Sequence, residues 1–336
     1  GVGGVGGLLL AIVIGIPLAA LFGYLAGLLL NRTKGQEMIT SMILGFFAMG
    51  LYQFFFLYFL GGVIPVNAPT LMMGNGIGVR NTIDLTAMKY GFDNILKLDV
   101  FVVLAIAGGL WLLWQLFRMI VRKKPLDGKG IRNLVLSGLL VVAGLVCEFL
   151  PGLQMYRAYL QIPVVTFLII GGLCAFMPFF MRTKLGQDMR ACGQDMHIAG
   201  VSGINVNRTR IVAICISCVL ACIGQVIFLQ NLGNISTYNA HENVGMFAAA
   251  ALLIGGASVS KATVGQALLG TFLFHLLFNV SPMAGQNLFG SAALGEYFRV
   301  FIAYGIIAIT LALYAWKQVV MANRKNRAID REDDAK

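Results

Sequence analysis

Charged residues are scarce in this sequence of 336 residues: Asp, Glu, Lys and Arg make up 12% of it, whereas 58% is hydrophobic. A soluble domain averages about 25% charged residues, so this chain has too little polar surface to cover a water-soluble globule. A nucleic-acid-binding protein is also disfavoured. Although the net charge is +11, the basic residues are spread over separate loops and form no patch interleaved with aromatic side chains.

Recognisable catalytic and cofactor motifs are missing as well. The glycine-rich start, GVGGVGG, follows no strand and therefore does not predict a dinucleotide site. The stretch GGASVSKAT (255–263) lacks the Gly-Lys-Ser/Thr order of a phosphate-binding loop around Lys261. The histidines His197, His241 and His275 belong to no discernible Ser-His-Asp set. We therefore predict that the chain is not an enzyme and uses no cofactor.

Long runs without a charged residue are the main positive feature. A helix needs about 20 apolar residues to cross a hydrocarbon core of about 30 Å. The runs predict an all-α, polytopic membrane helix bundle that forms a single transmembrane domain over residues 1–336. We expect about nine spans, at about 7–30, 39–63, 100–120, 134–150, 162–181, 211–232, 244–258, 263–280 and 297–316. The seventh and eighth are short and could instead form a re-entrant pair buried in protein.

Lys and Arg in the loops predict the orientation of the chain. All but five of the 25 fall on one side of the predicted membrane, and the other side holds Arg80, Lys89, Lys97, Arg157 and Arg299. Basic loops stay in the cytoplasm, so the N-terminus is predicted to lie outside and the C-terminus, with the tail 318–336, inside. The longest extracytoplasmic loop, 65–99, is expected to carry a short amphipathic helix near 83–98.

The cysteines and titratable side chains in the predicted spans indicate neither a metal site nor an ion relay. Cys218 and Cys222 share a helix face, but no His or carboxylate joins them on that helix, so a metal site is not expected. His275 is the one titratable residue near the middle of a span, whereas Glu148 and Glu296 lie at outer ends. The chain therefore lacks an obvious ion relay, and energy for uphill transport would have to come from another subunit.

The segment 182–210 is the only long, polar, mixed-charge stretch that is flanked on both sides by spans. Reversing the chain needs only about five residues, so an ordered segment of this length suggests a cytoplasmic docking surface. Residues 185–199 can form a short amphipathic helix with one side made of Leu185, Met189, Cys192, Met196 and Ala199. The residues expected to end this helix are Gly200, Gly203 and Asn205.

Within this segment, MRACGQDMHIAGVSGINVNRTR (189–210) resembles the cytoplasmic coupling segment of ABC importer permeases of the ribose/galactose, nucleoside and branched-chain amino acid group. The matching positions are Arg190, Ala191, Gly193, Ala199, Gly203, Ile204, Val206 and Arg208. The stretches 26–53 and 248–279 are similar to the same family, and the resemblance covers about residues 15–60 and 180–316. Spans 100–120 and 134–150 look like an insertion, and spans that precede the first one in the family are expected to be missing.

The resemblance implies the membrane-spanning permease subunit of an ABC importer for a sugar or nucleoside, in the bacterial cytoplasmic (inner) membrane. Its partners would be a second permease subunit, cytoplasmic ATP-binding subunits and an extracytoplasmic solute-binding protein. The residues implied for coupling to the ATPase are Met189, Arg190, Ala191, Gly193, Asp195, Ala199, Gly203 and Ile204. The alternatives are a branched-chain amino acid permease of the same class and a secondary transporter or channel that acts alone.

Polar side chains inside the predicted spans are candidates for the substrate path, because they are costly in lipid unless they face a cavity or a neighbour. These candidates are Tyr52, Gln53, Gln225, Gln230, His275 and Asn279. These side chains suit a small neutral polyol or nucleoside, because amides form hydrogen bonds with its hydroxyl groups and aromatic rings stack on its apolar faces. For each residue, the alternative is a hydrogen bond between helices.

Overall fold

The computed structural model describes residues 4–33, 35–74, 76–122, 128–150, 152, 160–238, 244–258, 261–291, 293–302, 304–305, 307–309, 312–313, 316 and 319–320. The basic residues Lys34, Lys123, Lys124 and Arg157, and nearly all of the tail 318–336, lie outside them. The chain divides into two units, Gly1–Ile235 and Ser236–Lys336. Each of the nine predicted spans contains helix at described positions.

The first unit contains eight helices among its described residues. They are α1 (Gly4–Arg32), α2 (Glu37–Phe54, continued by a π-helical turn at Phe55–Phe59 and a last turn at Leu60–Gly62), α3 (Val100–Arg122), α4 (Gly128–Phe149), α5 (Val164–Phe180), α6 (Lys184–Gln194), α7 (Met196–Val201) and α8 (Val206–Leu232).

Two small sheets join chain segments near the helix ends. Strand β1 (Thr82–Asp84) pairs with β4 (Asn234–Ser236), and β2 (Lys97–Asp99) pairs antiparallel with β3 (Gln161–Pro163). The amphipathic helix expected near 83–98 is therefore wrong, because the segment forms β1, a 3₁₀ turn (Thr86–Met88), further turns and β2.

The second unit contains α9 (Val244–Ile254), α10 (Val264–Phe289) and α11, which is helical at the described positions of 293–320. Helix α9 has 11 residues and is therefore about 16 Å long, too short to cross a bilayer. Added Cβ atoms on Gly255 and Gly270 would overlap the carbonyl oxygens of Gln266 and Ala251, so α9 and α10 pack backbone against backbone. This close pairing is compatible with the predicted re-entrant pair.

Six described helices are long and apolar enough to cross a membrane, or up to seven if the bent pair of α5 and α6 counts as one span. They are α1, Ile39–Gly62, Val100–Phe117, Arg132–Phe149, α8 and α10. Large apolar side chains on these and other helices are exposed, with Phe46 at 70% and Leu168 at 69%. The fold is thus a set of apolar helices suited to a lipid environment, whereas the count of nine spans stays a prediction.

Helices α1 and α8 pack closely against each other in the first unit. A Cβ on Gly23 would lie 2.9 Å from the Cα of Cys215, and one on Gly27 would lie 3.1 Å from the Cα of Ile211. Small residues let two helix backbones approach in this way. The cysteines on this face of α8 pack as small side chains, and Sγ of Cys215 lies 3.6 Å from the carbonyl oxygen of Ala20.

Candidate coupling surface and polar positions in the spans

Residues 182–210, which we call the coupling segment, begin with a sharp turn after α5. The Oγ1 of Thr183 donates to the carbonyl of Phe180 (2.6 Å) and accepts from the N–H of Gly186 (3.4 Å), which caps α6. A Cβ on Gly186 would lie 2.5 Å from the Cα of Met181, so glycine is required where α6 turns back on the end of α5. The two helices are bent by 72° relative to each other, and α6 therefore leaves the direction of the span.

Asp195 divides the single helix expected for residues 185–199 into α6 and α7. Its backbone is extended (φ −155°, ψ 115°), and its Oδ1 accepts hydrogen bonds from the backbone N–H groups of His197 (2.7 Å) and Ile198 (3.0 Å). The bond from Ile198, followed by that from His197, lowers the pKa of the Asp195 carboxyl. The expectation of one continuous helix is wrong because the aspartate side chain replaces helical bonds at this point.

Helix α7 ends in a Schellman motif around Gly203. The N–H of Gly203 donates to the carbonyl of Gly200 (3.1 Å), and the N–H of Ile204 donates to the carbonyl of Ala199 (3.1 Å). Gly203 has a φ of +84°, and no atom lies within 4 Å of a Cβ placed on it. The left-handed conformation, and not lack of space, therefore favours glycine here. Gly200, which was expected to end the helix, lies inside α7.

The start of α8 is tied to the last turn of α1 and the first turn of α2. The Nδ2 of Asn31 donates to the carbonyl of Asn207 (2.9 Å), and Arg210 Nη2 lies 2.8 Å from Glu37 Oε1. Backbone N–H groups of Glu37 and Gly35, with a further contribution from Arg210, lower the pKa of the Glu37 carboxyl. The coupling segment is therefore connected to three helices of the first unit, α1, α2 and α8.

The surface of α7 carries exposed apolar side chains. Met196, Ile198 and Val201 are 48%, 63% and 79% exposed, whereas Ala199 on the same short helix is 3% exposed. Apolar side chains presented by a polar segment are typical of a docking site for another protein. The sequence-based prediction left Ile198 and Val201 out of the coupling residues. They follow Asp195, a residue type that often caps helices, and their spacing of three positions places them on the same face of a helix, so this pattern could have indicated them.

The eight residues predicted for coupling lie on α6, at the break between α6 and α7, on α7 and in the turn that follows. Ala199 is buried, Met189, Ala191 and Ile204 are half-buried, and the exposed ones are Arg190, Gly193, Asp195 and Gly203. The structure therefore brings this set together along one continuous segment. Their role in coupling stays a prediction.

The polar positions predicted for a substrate path fall into both units. Tyr52 and Gln53 are half-buried on α2, where the Tyr52 ring packs 4.8 Å from that of Phe56. His275 and Asn279 are exposed and one turn apart on α10. Together with the half-buried Gln225 on α8, these residues stay predictions for the substrate path.

Gln230 differs from the other five, because it is 2% exposed and fully engaged in hydrogen bonds. Its Nε2 donates to Oδ1 of Asp93 (3.1 Å) and to Oγ1 of Thr166 (3.3 Å), and its Oε1 accepts from the N–H of Phe92 (3.0 Å). The Thr166 hydroxyl donates to the same Asp93 oxygen. For Gln230, the geometry therefore favours a structural role, in which its hydrogen bonds join α8 to α5 and to the loop that contains Asp93, over contact with a solute.

Within the described ranges, no group of three or more His, Cys, Asp or Glu side chains is placed to hold a metal ion. The features that the structure does assemble are an exposed apolar face on α7, before the start of α8, and a buried polar junction near the end of α8. Neither feature contains a reactive pair of the kind that nucleophilic or acid–base catalysis requires.

A protein family described as the permease component of branched-chain amino acid transport systems matches residues 2–311. The high-affinity branched-chain amino acid transport system permease protein BraD of Pseudomonas aeruginosa is 29% identical over 161 residues, which cover 46% of this chain and 45% of BraD. The xylose transport system permease protein XylH of Escherichia coli K12 is 33% identical over 122 residues, or 36% of this chain and 30% of XylH.

The high-affinity branched-chain amino acid transport system permease protein LivH of Escherichia coli K12 is 32% identical over 108 residues, which cover 32% of this chain and 34% of LivH. The chain thus spans less than half of the length of each of these three curated relatives. No solved structure matches it.

Proposed function

The chain belongs to the family of permease components of branched-chain amino acid transport systems, and from this membership we propose that it is the membrane-spanning permease subunit of an ABC importer. Its relatives are named as permease proteins of transport systems, and six or seven of its described helices are long and apolar enough to cross a membrane. The chain would itself be no enzyme, and ATP would be hydrolysed on a partner subunit.

The exposed apolar face of α7 is the observation that carries this proposal. Met196, Ile198 and Val201 project from a short helix whose two ends are fixed by Asp195 and Gly203. A rigid apolar face of this kind suits a groove on an ATP-binding subunit, because preorganised side chains lose little conformational entropy on docking. Bending of α6 away from α5 by 72° would place this face beside the membrane surface.

The proposed topology follows from the position of this face. With residues 182–210 in the cytoplasm of a bacterium, the N-terminus would lie outside the inner membrane and the C-terminus inside. The expected nine crossings count α9 as a span; since α9 is too short to cross alone, seven crossings with α9 and α10 as a re-entrant pair keep the same orientation. The loop 65–99 would then face the extracytoplasmic solute-binding protein. A second permease subunit, identical or homologous, would complete the pathway.

The proposed solute is a sugar or a nucleoside. Half-buried Tyr52, Gln53 and Gln225 and exposed His275 and Asn279 offer rings and neutral hydrogen-bonding groups, and the xylose permease XylH is among the relatives. A branched-chain amino acid is the second candidate, because the family description, BraD and LivH all refer to such transport.

Co-purification with the ATP-binding subunit tests the docking proposal. Ile198→Glu combined with Val201→Glu, or Arg190→Glu alone, should reduce both recovery of the ATPase and ATP-dependent uptake into proteoliposomes while membrane insertion persists. Ile95→Glu is the matched control for recovery of the ATPase, since Ile95 is 52% exposed on the loop predicted to lie outside. Uptake that needs a proton gradient and no ATP would contradict the proposal and favour a transporter that acts alone.

The solute is identified by competition. Uptake of a labelled pentose in the complete complex, measured against excess nucleoside and excess leucine, separates the two candidates. Mass analysis of the ligand that co-purifies with the solute-binding protein gives an independent result.

A further inference from the structure

The outer segment 85–99 is held against the first unit by several contacts that do not involve the coupling segment. The N–H of Leu85 donates to the carbonyl of Gly233 (3.0 Å), and the N–H of Tyr90 donates to the carbonyl of Gln230 (3.0 Å). A Cβ on Gly91 would lie 2.6 Å from Cδ1 of Leu8, so the segment also packs closely on the start of α1.

Tyr90 marks the point where the chain bends to make these contacts. Its φ of +55° is the only positive value among the described residues other than glycine. A large side chain adopts this conformation at some cost and keeps it only when the surroundings impose it. Two features hold Tyr90 in this conformation. Its backbone N–H is bonded to Gln230, and the residues that follow it, Gly91, Phe92 and Asp93, are buried.

The centre of this arrangement is a closed set of hydrogen bonds among Asp93, Thr166 and Gln230, which we call the outer junction. The hydroxyl of Thr166 donates to Oδ1 of Asp93, and Gln230 donates to both partners. The three residues are 6%, 5% and 2% exposed. Separating the three residues would leave buried polar groups without partners, which is costly. They therefore hold the outer segment, α5 and α8 together as one body.

Helix α8 connects the outer junction with the coupling segment. It starts at Val206, two residues after Ile204, and ends at Leu232, two residues after Gln230. Its 27 residues span about 40 Å, and α1 packs along it at Gly23 and Gly27. A closely packed pair of helices moves as a unit, because a tightly packed interior transmits displacement instead of absorbing it.

We propose that Asp93, Thr166 and Gln230 are positioning residues for transport, which fix segment 85–99 on α8 so that a movement of the coupling segment reaches the outer face. This inference rests on the proposed function, in which an ATP-binding subunit moves the coupling segment. The three side chains touch no solute in this role, and Gln230 acts through the outer segment.

Hydrogen–deuterium exchange of peptides from 85–99 tests the proposal in the complex of permease and ATP-binding subunits. In the wild type, a non-hydrolysable ATP analogue should change exchange in this segment. Gln230→Leu leaves the Phe92 N–H without its acceptor and the Asp93 carboxyl with the Thr166 hydroxyl alone, so exchange there should become roughly tenfold faster and no longer respond to the nucleotide. ATP hydrolysis should persist while solute uptake falls.

Two further variants separate the role of the junction from general damage. Both bonds to Asp93 end on Oδ1, so Asp93→Asn should behave much like the wild type, whereas Asp93→Leu should behave like Gln230→Leu. Asn94→Ala is the matched control, because Asn94 is exposed beside Asp93 and should leave exchange and uptake unchanged.

Unchanged exchange of 85–99 in Gln230→Leu would overturn the proposal, and so would a nucleotide response that persists in that variant. A wild-type permease that binds no ATP-binding subunit would contradict the proposed function and remove transmission along α8. In that case, the difference in exchange between the wild type and Gln230→Leu, measured on the permease alone, would still show that the junction anchors the outer segment.

Discussion

The two ends of α8 are built in different ways. At the coupling segment, the side chains of Thr183, Asp195 and Asn205 cap helices by bonds to backbone N–H groups two or three residues away, and these groups are largely exposed. At the outer junction, the bonds of Gln230 join residues that are 64 to 138 positions apart and are buried.

The difference indicates how each end can respond to force. A locally capped segment keeps its own shape while its position changes, because no capping bond depends on a distant element. The outer junction depends on the relative positions of α5, α8 and segment 85–99, so any displacement of one against another breaks a buried bond. The coupling segment, together with the ends of α1 and α2 that Asn31 and Glu37 join to it, is therefore suited to move as a body, and the junction to carry that movement to segment 85–99.

The largest effect is expected from a variant that disrupts the packing of α1 along α8, which connects the two ends of α8. Gly23→Leu would place a side chain against the backbone of Cys215 and separate α1 from α8, at a cost of at least about 1–3 kcal/mol. The yield of monodisperse protein in detergent and its thermal midpoint should both fall. Gly45→Leu is the control, since no atom lies within 4 Å of a Cβ on Gly45. Equal behaviour of the two variants would show that α1 and α8 are not closely packed.

A smaller effect is expected at the outer junction. Thr166→Val keeps the shape of the side chain but removes the hydroxyl that donates to Asp93. Loss of this buried hydrogen bond should lower the free energy of unfolding by about 1–3 kcal/mol, measured by denaturation in detergent. Thr166→Ser retains the hydroxyl and should recover most of this loss, whereas equal losses in both variants would mean that packing and not the bond matters.

Around the end of α7, Gly203 and Gly200 should respond to substitution in opposite directions. Gly203→Ala forces a side chain into φ +84° and should cost about 1–2 kcal/mol. Gly200→Ala lies inside α7 with no atom within 4 Å of the new Cβ and should be neutral or slightly stabilising. ATPase co-purification and uptake should fall for the first variant and not for the second, with insertion intact in both. The same loss in both would contradict the Schellman end of α7.

The smallest expected effect concerns Asp195. Its folded pKa is lowered by two backbone N–H bonds, so its contribution is present above the unfolded pKa and is lost only as pH falls through the lower folded value. Coupling should therefore not vary with pH around neutrality through this group. Asp195→Asn keeps a good N-cap and should retain ATPase binding, whereas Asp195→Ala should weaken it slightly. A difference between Asp195→Asn and the wild type at neutral pH would implicate the charge itself.

Much of the coupling segment could be predicted from the sequence, because its structure is decided by neighbours in the chain. Gly203 was expected to end the helix, and it does. Asn205 was also expected to end it, but it caps the start of α8 instead. The break at Asp195 was missed, since an aspartate between helix-forming residues is compatible with both a continuous helix and a cap. The apolar face formed by Ile198 and Val201 was also missed, because the expected helix placed Ala199 on the docking side.

The outer loop was predicted poorly for the opposite reason. The spacing of apolar residues in 83–98 suggested a helix, but pairing of β2 with the distant β3 and bonds to Gln230 determine its course. Gln230 looked like a substrate residue because a lone amide in an apolar span needs a partner. Its partner Asp93 lies 137 positions away, and nothing in the local pattern indicated it.

The sequence by itself determined that this chain is a set of apolar helices, with one polar segment between two of them, because hydropathy and helix capping depend on residues close together in the chain. Only the tertiary structure decided which polar side chains meet. The pairing of Asp93, Thr166 and Gln230 requires three segments to be brought together by packing, and the burial that makes their bonds strong exists only after the helices have assembled.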